Sequence, residues 1–322
     1  MSGPIVCGVD DSRAARNAAA VAMAMSRRID APLVVVHVAP DEPTLVCDAA
    51  SRDERRQRAL DRVRALLDQI PVPAGRVADT VVHLEIGDPA ERLIALAAAQ
   101  GASMLVVGSR GRRALTAALL GSVSRDLLAR APCPVLVVSP NAVAAAAPRH
   151  HDRRLATSVV CGIDGSPASQ HAAETASGLA RRLNARLVLA HSYRPAITWT
   201  DDGLTRRYSS GPLIRQWEAG LRRLEAVAAE LHALPRPELS LEPGDPAEEL
   251  IRMATRERAE ILVVGSHGQG KLEAALHGSV AGTVASSAPM PVLVVSLPTE
   301  TRADRPRSDA TIDSDGRPIS HV

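Results

Sequence analysis

One short glycine pattern occurs twice in the chain and constrains its fold more than any other feature. A serine follows the third glycine of each copy, and the spacing is identical: Gly108, Gly111 and Gly121 in the first, Gly265, Gly268 and Gly278 in the second. Each copy follows an apolar run typical of a buried parallel strand and precedes a sequence typical of a helix start. Glycine lets the backbone approach an anion, and the first N–H groups of a helix attract one. The pattern therefore predicts two phosphate sites.

The rest of the chain is duplicated as well, which divides it into two halves. The block Gly8–Ser12 corresponds to Gly162–Ser166, and the block Ala131–Ser139 corresponds to Ala288–Ser296. We predict a first domain over residues 1–140, a linker over 141–156 and a second domain over 157–298. Residues 299–322 are polar, rich in proline and aspartate and without periodicity, which predicts a disordered tail.

Each half has the periodicity of five strands alternating with four helices. The first half predicts strands near 4–9, 32–38, 79–85, 103–108 and 134–139, with helices near 13–29, 52–69, 89–100 and 119–130. The second predicts strands near 158–163, 186–192, 238–242, 260–265 and 291–296, with helices near 168–183, 211–233, 247–258 and 276–287. Such alternation predicts an α/β fold with open parallel sheets and helices on both faces.

Several polar residues fall where predicted strands end or helices begin. Asp10, His37 and Gly108 follow or end strands, and ligands of open parallel sheets bind at that edge. The Gly-Asp-Pro runs at 87–89 and 244–246 predict an aspartate N-cap with proline in the first turn. Ser12 and Ser166 are expected to cap the first helix of each half.

Composition narrows the class of protein. The net charge is +2, so no whole-protein field indicates nucleic acid or membrane as a partner. Phenylalanine is absent, so the cores must be aliphatic, and Cys7 and Cys161 are expected to be buried core thiols. Lys271 is the only lysine, which argues against Schiff-base chemistry. No signal peptide or membrane-length apolar run is evident, and we expect a cytoplasmic protein without a metal cage.

Some motifs leave two interpretations open. Gly265 to Lys271 has the spacing of a nucleotide-binding P-loop, but Leu272 stands where that loop needs a hydroxyl for magnesium. Asp10 and Asp164 are either turn-forming residues or acceptors for an amine or a ribose hydroxyl. His37 and His191 are more often structural at such positions. The arginine-rich segment 51–58 carries both charge signs, which favours a solvated helix face over a nucleic-acid surface. Aromatic residues cluster over 193–217 and indicate either a lid or partner surface or plain packing.

These residues resemble the universal stress protein family, in its ATP-binding branch and its tandem form. The shared features are the Gly-x2-Gly-x9-Gly-Ser spacing and the aspartate that ends the first strand. The resemblance implies a Rossmann-like or flavodoxin-like sheet of order 3-2-1-4-5 in each half, that is, two tandem open five-stranded sheets. It also implies association through the fifth strands, and we expect the two fifth strands to pair antiparallel within one chain, with a homodimer as a further option.

The resemblance also implies one ATP per half, with or without Mg²⁺. The strand-end aspartate and the end of the second strand hold the adenine in the family, and the glycine loop holds ribose and phosphates. The predicted binding residues of the first half are Gly8, Asp10, Val38, Gly108, Ser109, Arg110, Gly111, Arg112, Gly121, Ser122 and Val123. Those of the second half are Gly162, Asp164, Ser192, Gly265, Ser266, His267, Gly268, Gly278, Ser279 and Val280.

The sequence predicts a regulator of a stress or growth-arrest response rather than an enzyme, because no catalytic base is evident. A slow ATP-hydrolysing enzyme is the alternative from another class, and an interaction module without nucleotide is the third.

Overall fold

The computed structural model describes residues 3–41, 49–70, 80–110, 120–142, 157–195, 197–199, 206–208, 210–231, 233, 235–266 and 279–297. Strands and helices alternate through the first half, as predicted. Its elements are β1 (Ile5–Val9), α1 (Arg13–Arg28), β2 (Leu33–Ala39), α2 (Ala49–Asp68), β3 (Thr80–Ile86), α3 (Pro89–Ala99), β4 (Met104–Gly108), α4 (Ser122–Arg130) and β5 (Val135–Val138). Residues 143–156 of the predicted linker lie outside the described residues, and so do residues 298–322.

The second half repeats this order with one insertion. Its elements are β6 (Ser158–Gly162), α5 (Pro167–Leu183), β7 (Arg186–Tyr193), β8 (Ile197–Trp199), β9 (Arg206–Tyr208), α6 (Ser210–Glu230), β10 (Glu238–Pro243), α7 (Pro246–Arg256), β11 (Ala259–Gly265), α8 (Val280–Ser287) and β12 (Val292–Val295). The insertion is the pair β8 and β9, which form a small antiparallel sheet. The sequence analysis did not predict these two strands, although it singled out the aromatic segment that contains them.

All other strands form one ten-stranded sheet. Its order is β10-β7-β6-β11-β12-β5-β4-β1-β2-β3, so each half has the order 3-2-1-4-5 that the family resemblance implied. Neighbouring strands within a half are parallel. The expectation of two separate open sheets is corrected in one respect, because the halves share a single continuous sheet.

The two halves join where their fifth strands pair. β12 runs antiparallel to β5, with Leu293 opposite Leu136 and with Val292 and Val294 opposite Val137 and Val135. Leu136 and Leu293 are equivalent residues of the repeat, so the register is symmetric about this pair. The predicted intrachain pairing of the fifth strands is confirmed. An apolar edge strand needs a partner, and an identical edge in the other half provides one.

Helices cover both faces of the sheet, and successive residues of each strand face opposite cores. The core on one face contains Cys7 and Cys161 and side chains of α1, α2, α5 and α6. The core on the other face contains Leu105 and Leu262 and side chains of α3, α4, α7 and α8. Both cores are aliphatic, as the composition predicted, and alanines on the helices allow close approach to the valine-rich strands.

The predicted helix caps are present. Asp88 accepts from Glu91 N at 3.0 Å, and Asp245 accepts from Ala247 N at 3.0 Å, with proline in the first turn of each helix. The predictions for the starts of α4 and α8 were early by three to four residues. Gly121 and Ser279 are extended, at ψ angles of 159° and 148°, so each helix begins only after them.

A reciprocal pair of arginines also connects the halves. Arg28, at the end of α1, donates to Leu183 O at 2.9 Å, and its equivalent Arg182, at the end of α5, donates to Ile29 O. Arg28 also forms an ion pair with the buried Glu260 of β11. Each arginine therefore satisfies a carbonyl near the end of the other half's first helix, where orphan carbonyls need donors.

Candidate functional site

The residues predicted to bind a ligand converge at the carboxyl edge of each half-sheet. β1 lies between β2 and β4, and Val9 is in register with His37. Asp10 follows β1 directly, and Gly108 ends β4. The strand-end acid and the start of the glycine loop are therefore on neighbouring strands, and the same arrangement occurs at Asp164 and Gly265 of the second half.

The strand-end aspartates form the turn that leads into the first helix. Asp10 Oδ1 accepts from Ser12 N at 3.0 Å, and Asp164 Oδ1 accepts from Ser166 N at 2.8 Å. These bonds hold the carboxylates in a fixed direction. The turn-forming role left open by the sequence is therefore present, and among the described residues the second carboxylate oxygen of Asp10 takes no part in it.

The serine after this turn connects α1 with the glycine loop. Ser12 Oγ accepts from Ala15 N at 3.1 Å, which caps α1, and it lies 3.3 Å from Arg110 O. Ser166 Oγ accepts from Ser169 N at 3.2 Å and caps α5 in the same way. The first helix of each half is thus anchored beside the strand ends.

The strand-end histidines have a structural role in both halves. His37 Nδ1 lies 3.0 Å from Val9 O, and His191 Nδ1 lies 2.6 Å from Ile163 O. A carbonyl only accepts, so each Nδ1 carries the proton and ties the second strand to the end of the first. Burial lowers the pKa of His191, and the charge of Arg223 lowers it further, while the Ile163 carbonyl and Asp164 oppose these effects. His191 is therefore neutral, and its Nε2, which carries no proton, is a hydrogen-bond acceptor.

Packing accounts for four of the glycines predicted to bind ligand. A Cβ on Gly108 would lie 2.8 Å from the backbone carbon of Ala14, and one on Gly265 would lie 2.8 Å from that of Ala168. A Cβ on Gly8 would lie 2.8 Å from the side chain of Leu93. Gly162 meets Leu250 in the same way. These glycines let the helices approach the strands, whatever else they contact.

Only parts of the two glycine loops belong to the described residues. Gly111, Arg112, His267, Gly268 and Gly278 lie outside them. Two hydrogen bonds hold the described ends of the first loop together. Gly121 N donates to Ser109 O at 2.8 Å, and Ser124 Oγ donates to Gly108 O at 2.7 Å. The first turn of α4 therefore lies beside the end of β4.

The described part of the first loop contains a buried hydroxyl and a helix start without a side-chain cap. Ser109 is fully buried, and its Oγ has no hydrogen-bond partner in the part of the chain that the structure describes. Gly121 precedes α4 without a side-chain cap bond. The N-terminus of an α-helix attracts negative charge when its first N–H groups are not otherwise satisfied. Ser122 is exposed and Val123 half-buried in this first turn.

The second loop differs at its helix start. Ser279 Oγ accepts from Gly282 N at 3.1 Å and caps α8, which begins at Val280. Ser266 is buried, and its N donates to Val295 O at 2.8 Å. The hydroxyl that the sequence assigned to a phosphate therefore serves the helix here.

The ends of the second strands also differ between the halves. Val38, half-buried, is in register with Glu85 of β3. Ser192 is buried, and its Oγ donates to Gly244 O at 3.1 Å in the turn before α7. Both residues lie one position after the strand-end histidine.

A cleft between the strand ends and α2 adds residues that the sequence analysis missed. It is a small cleft, partly open to solvent, and is lined by Val9, Asp10, Asp11, His37, Ala59, Arg62, Val63 and Leu66. The sequence analysis treated α2 as a solvated helix, and its side chains Asp53, Glu54, Arg56 and Arg58 are exposed as predicted. The signal for the cleft wall was the apolar pair Ala59 and Val63, one turn apart in a charged helix.

Within the described residues, no group of three or more histidine, cysteine, aspartate or glutamate side chains is arranged to hold a metal ion. None of the described helices is long and apolar enough to cross a membrane.

Comparisons with known proteins agree with the repeat and the sheet order. A universal stress protein of Mycolicibacterium smegmatis is 33% identical over 305 residues, which cover 90% of this chain and 96% of that protein. A universal stress protein of Mycobacterium tuberculosis strain H37Rv is 32% identical over 300 residues, with the same coverage. The crystal structure of a universal stress protein from Archaeoglobus fulgidus has the same fold, with a TM-score of 0.62 at 20% identity over 92% of this chain and 99% of that one. The sequence profile of the universal stress protein family matches residues 1–139 and again 156–296, and the chain is a tandem member of this family.

Proposed function

We propose that each half of this chain binds one ATP at the carboxyl edge of its half-sheet, and that the protein acts in the cytoplasm as a nucleotide-dependent regulator of a stress or growth-arrest response. The proposal rests on an arrangement that occurs in both halves. A strand-end aspartate lies on the strand next to the one that leads into a buried serine of the glycine loop, Asp10 with Ser109 in the first half and Asp164 with Ser266 in the second. The family resemblance points to the same ligand.

The adenine end of the ligand fits the strand-end aspartate. Asp10 is fixed through Oδ1 by the Ser12 amide, so its other oxygen has a defined direction. A carboxylate accepts from an exocyclic amine, and the backbone at Val38 offers the peptide groups that a base edge needs as partners. In the adjoining cleft, Ala59 and Val63 of α2 form an apolar surface against which one face of a base can pack.

The phosphate end fits the start of α4. The uncapped first turn offers N–H donors, and the buried Ser109 Oγ is a further donor with no other bond among the described residues. Arg110 adds a positive charge at the same loop. Phosphate oxygens accept from all three kinds of group. Magnesium, where bound, would be held chiefly by the phosphates and water, as is usual for that ion.

The test is the substitution Asp10→Asn. Asparagine keeps the oxygen that accepts from the Ser12 amide, so the turn is preserved, but it replaces the other acceptor by a donor that faces the amine of the base. A hydrogen bond to a charged group contributes roughly 1.5–3 kcal/mol. We therefore expect ATP affinity of the first half to fall about tenfold to a hundredfold in calorimetric titration, with a melting temperature close to that of the parent.

The matched control is Asp88→Asn, at the N-cap of α3 on the same edge of the sheet. It makes the same chemical change at a helix cap and should leave ATP affinity unchanged. If Asp10→Asn binds ATP as tightly as the parent, the base is not held at this aspartate. Steady release of phosphate by the parent with Mg²⁺ would instead favour the slow hydrolase, and absence of any nucleotide binding would favour the interaction module.

A further inference from the structure

The cleft of the first half has a counterpart in the second half, formed by equivalent residues. Helices α2 and α6 place buried residues one turn apart against equivalent strands of the two halves, Ala59 and Val63 in α2 and Gly220 and Leu224 in α6. The residue before Val63 is Arg62, and the residue before Leu224 is Arg223. We call the two spaces the first crevice and the second crevice. Each is bounded by the strand-end aspartate, the strand-end histidine and one of these arginines.

The two arginines point differently. Arg62 is exposed, and its Nε donates along its own helix to Arg58 O at 3.3 Å. Arg223 is only half-exposed, and its Nη1 donates across the crevice to His191 Nε2 at 3.1 Å. The first guanidinium leaves its crevice open, whereas the second spans it.

One glycine makes room for Arg223. Gly165 stands where the first half has Asp11, and a Cβ there would lie 2.5 Å from Arg223 Nε. Gly165 also has a φ of +84°, which places the turn in a conformation that favours glycine. A side chain at this position would displace the guanidinium from the place it occupies. The replacement of Asp11 by Gly165 therefore permits the arginine to lie over the turn.

The helix also approaches the strand more closely in the second half. A Cβ on Gly220 would lie 2.9 Å from His191 Cδ2 and 2.9 Å from Leu241 Cδ1, whereas the equivalent Ala59 carries its Cβ. In agreement, His191 is only 8% exposed, and His37 is half-buried. Two features therefore narrow the second crevice, the guanidinium of Arg223 and the close approach of α6 to His191 at Gly220.

We propose that Arg223 is a built-in occupant of the second crevice that competes with the ligand, so that the two halves bind nucleotide unequally. This inference rests on the proposed function, because it concerns the same edge of the sheet. A ligand base that enters the second crevice must displace the guanidinium from His191 and from the turn at Gly165. A base that enters the first crevice does not have to break such a contact, because Arg62 lies along its own helix.

The cost of that displacement sets the expected inequality. When the half-buried guanidinium of Arg223 is displaced, it loses its hydrogen bond to His191. Loss of a hydrogen bond from a charged donor changes an equilibrium constant about tenfold to a hundredfold. The first half should therefore bind ATP about tenfold to a hundredfold more tightly than the second.

The first arm of the test uses no nucleotide. The imidazole signals of His191 are titrated by NMR in the parent, in Arg223→Met, which keeps most of the side-chain bulk, and in Arg223→Ala. Loss of the neighbouring positive charge should raise the pKa of His191 in both variants. Arg222→Ala is the matched control, because Arg222 is the exposed neighbour and pairs with Glu218 on the same helix. An unchanged pKa in both Arg223 variants would show that the contact is absent in solution and would overturn the proposal.

The second arm measures ATP binding by calorimetry. The parent should show one tighter and one weaker site, and Arg223→Ala should strengthen the weaker site about tenfold or more without changing the tighter one. Arg222→Ala should match the parent. Equal sites in the parent, or a weaker site that Arg223→Ala leaves unchanged or weakens, would overturn the proposal. If the first arm gives the expected shift in the pKa of His191 but neither the parent nor the variant binds ATP, the proposed function is wrong. The competition proposed here is then wrong as well, because it requires that ligand.

Discussion

Cys7 and Cys161 occupy equivalent positions of the central strands β1 and β6, and neither side chain has any exposed surface. Burial raises the pKa of the Cys7 thiol to about 12 and raises that of Cys161 as well. Their neighbours are aliphatic side chains of the helices and strands around them. The prediction of buried core thiols is confirmed, and both act as small hydrophobic residues rather than as nucleophiles.

This burial has a chemical consequence that can be measured. In the native protein at pH 8, iodoacetamide should not modify Cys7 or Cys161, because the thiols are inaccessible and almost wholly protonated. Cys133 is half-buried, with its pKa raised only to about 11, and should react slowly. Peptide mapping by mass spectrometry gives the extent at each site. Modification of Cys7 at the rate of Cys133 would contradict the packing, whereas both core thiols should react fully in denaturant.

At the scale of elements, the contact between β4 and α1 depends on Gly108. The end of this strand meets the first turn of α1, and the same contact recurs between Gly265 and α5. A side chain cannot be accommodated by movement of a flexible neighbour, because the nearest atoms belong to the helix backbone. The first glycine of each loop is therefore needed for the fold before any ligand binds.

We expect Gly108→Ala to lower the free energy of unfolding by about 1–3 kcal/mol, as overpacking of a tight contact does. Gly178→Ala is the control, because Gly178 lies within α5 and a Cβ there would meet nothing within 4 Å. That substitution should raise stability by about 0.5–1 kcal/mol, since alanine is the better helix former. Denaturant unfolding measures both. Equal stability of the Gly108→Ala variant and the parent would mean that β4 and α1 lie farther apart.

At the scale of the whole molecule, the sheet continues through the β5–β12 pair. This pair is antiparallel and symmetric about Leu136 and Leu293, and both residues are fully buried. The contacts of Arg28 and Arg182 are symmetric in the same way, and they join α1 of the first half to α5 of the second. The two halves of one chain therefore meet through the same symmetric contact that two separate copies of a single half would form as a dimer.

The pairing predicts a specific crosslink. Val137 is opposite Val292, and opposite residues of antiparallel strands have Cα atoms about 4.5–5.5 Å apart, which suits a disulfide. The variant with cysteines at both positions, with Cys47 and Cys133 changed to serine, should form an intrachain disulfide on mild oxidation. Cysteines at the diagonal pair Val135 and Val292 should crosslink far less.

Non-reducing electrophoresis distinguishes the possible results. A monomeric species of increased mobility indicates the intrachain bond. Crosslinked dimers in its place would mean that the fifth strands pair between two chains, which is the homodimer that the sequence left as an option.

The sequence by itself determined the features that depend on local chemistry. Apolar periodicity located the ten strands of the large sheet and most of the helices, but not β8 and β9. Asp88, Asp245, Ser12 and Ser166 were identifiable as caps because capping needs only neighbouring residues. The duplicated edge strand predicted the joining of the halves, since a repeated apolar edge is complementary to itself. The binding residues assigned by the family resemblance remain predictions, to be tested by Asp10→Asn.

Only the tertiary structure decided how the two halves differ. Arg62 and Arg223 stand at equivalent positions of charged helices, and nothing local indicates that one follows its own helix while the other crosses to a histidine. The difference depends on Gly165, which lies beside the guanidinium of Arg223, and on Gly220, where α6 approaches His191 and Leu241. These two glycines lie far from each other in sequence and come together only when α6 packs against β7. Long-range packing fixes such contacts, because the space left between elements is a property of both surfaces together.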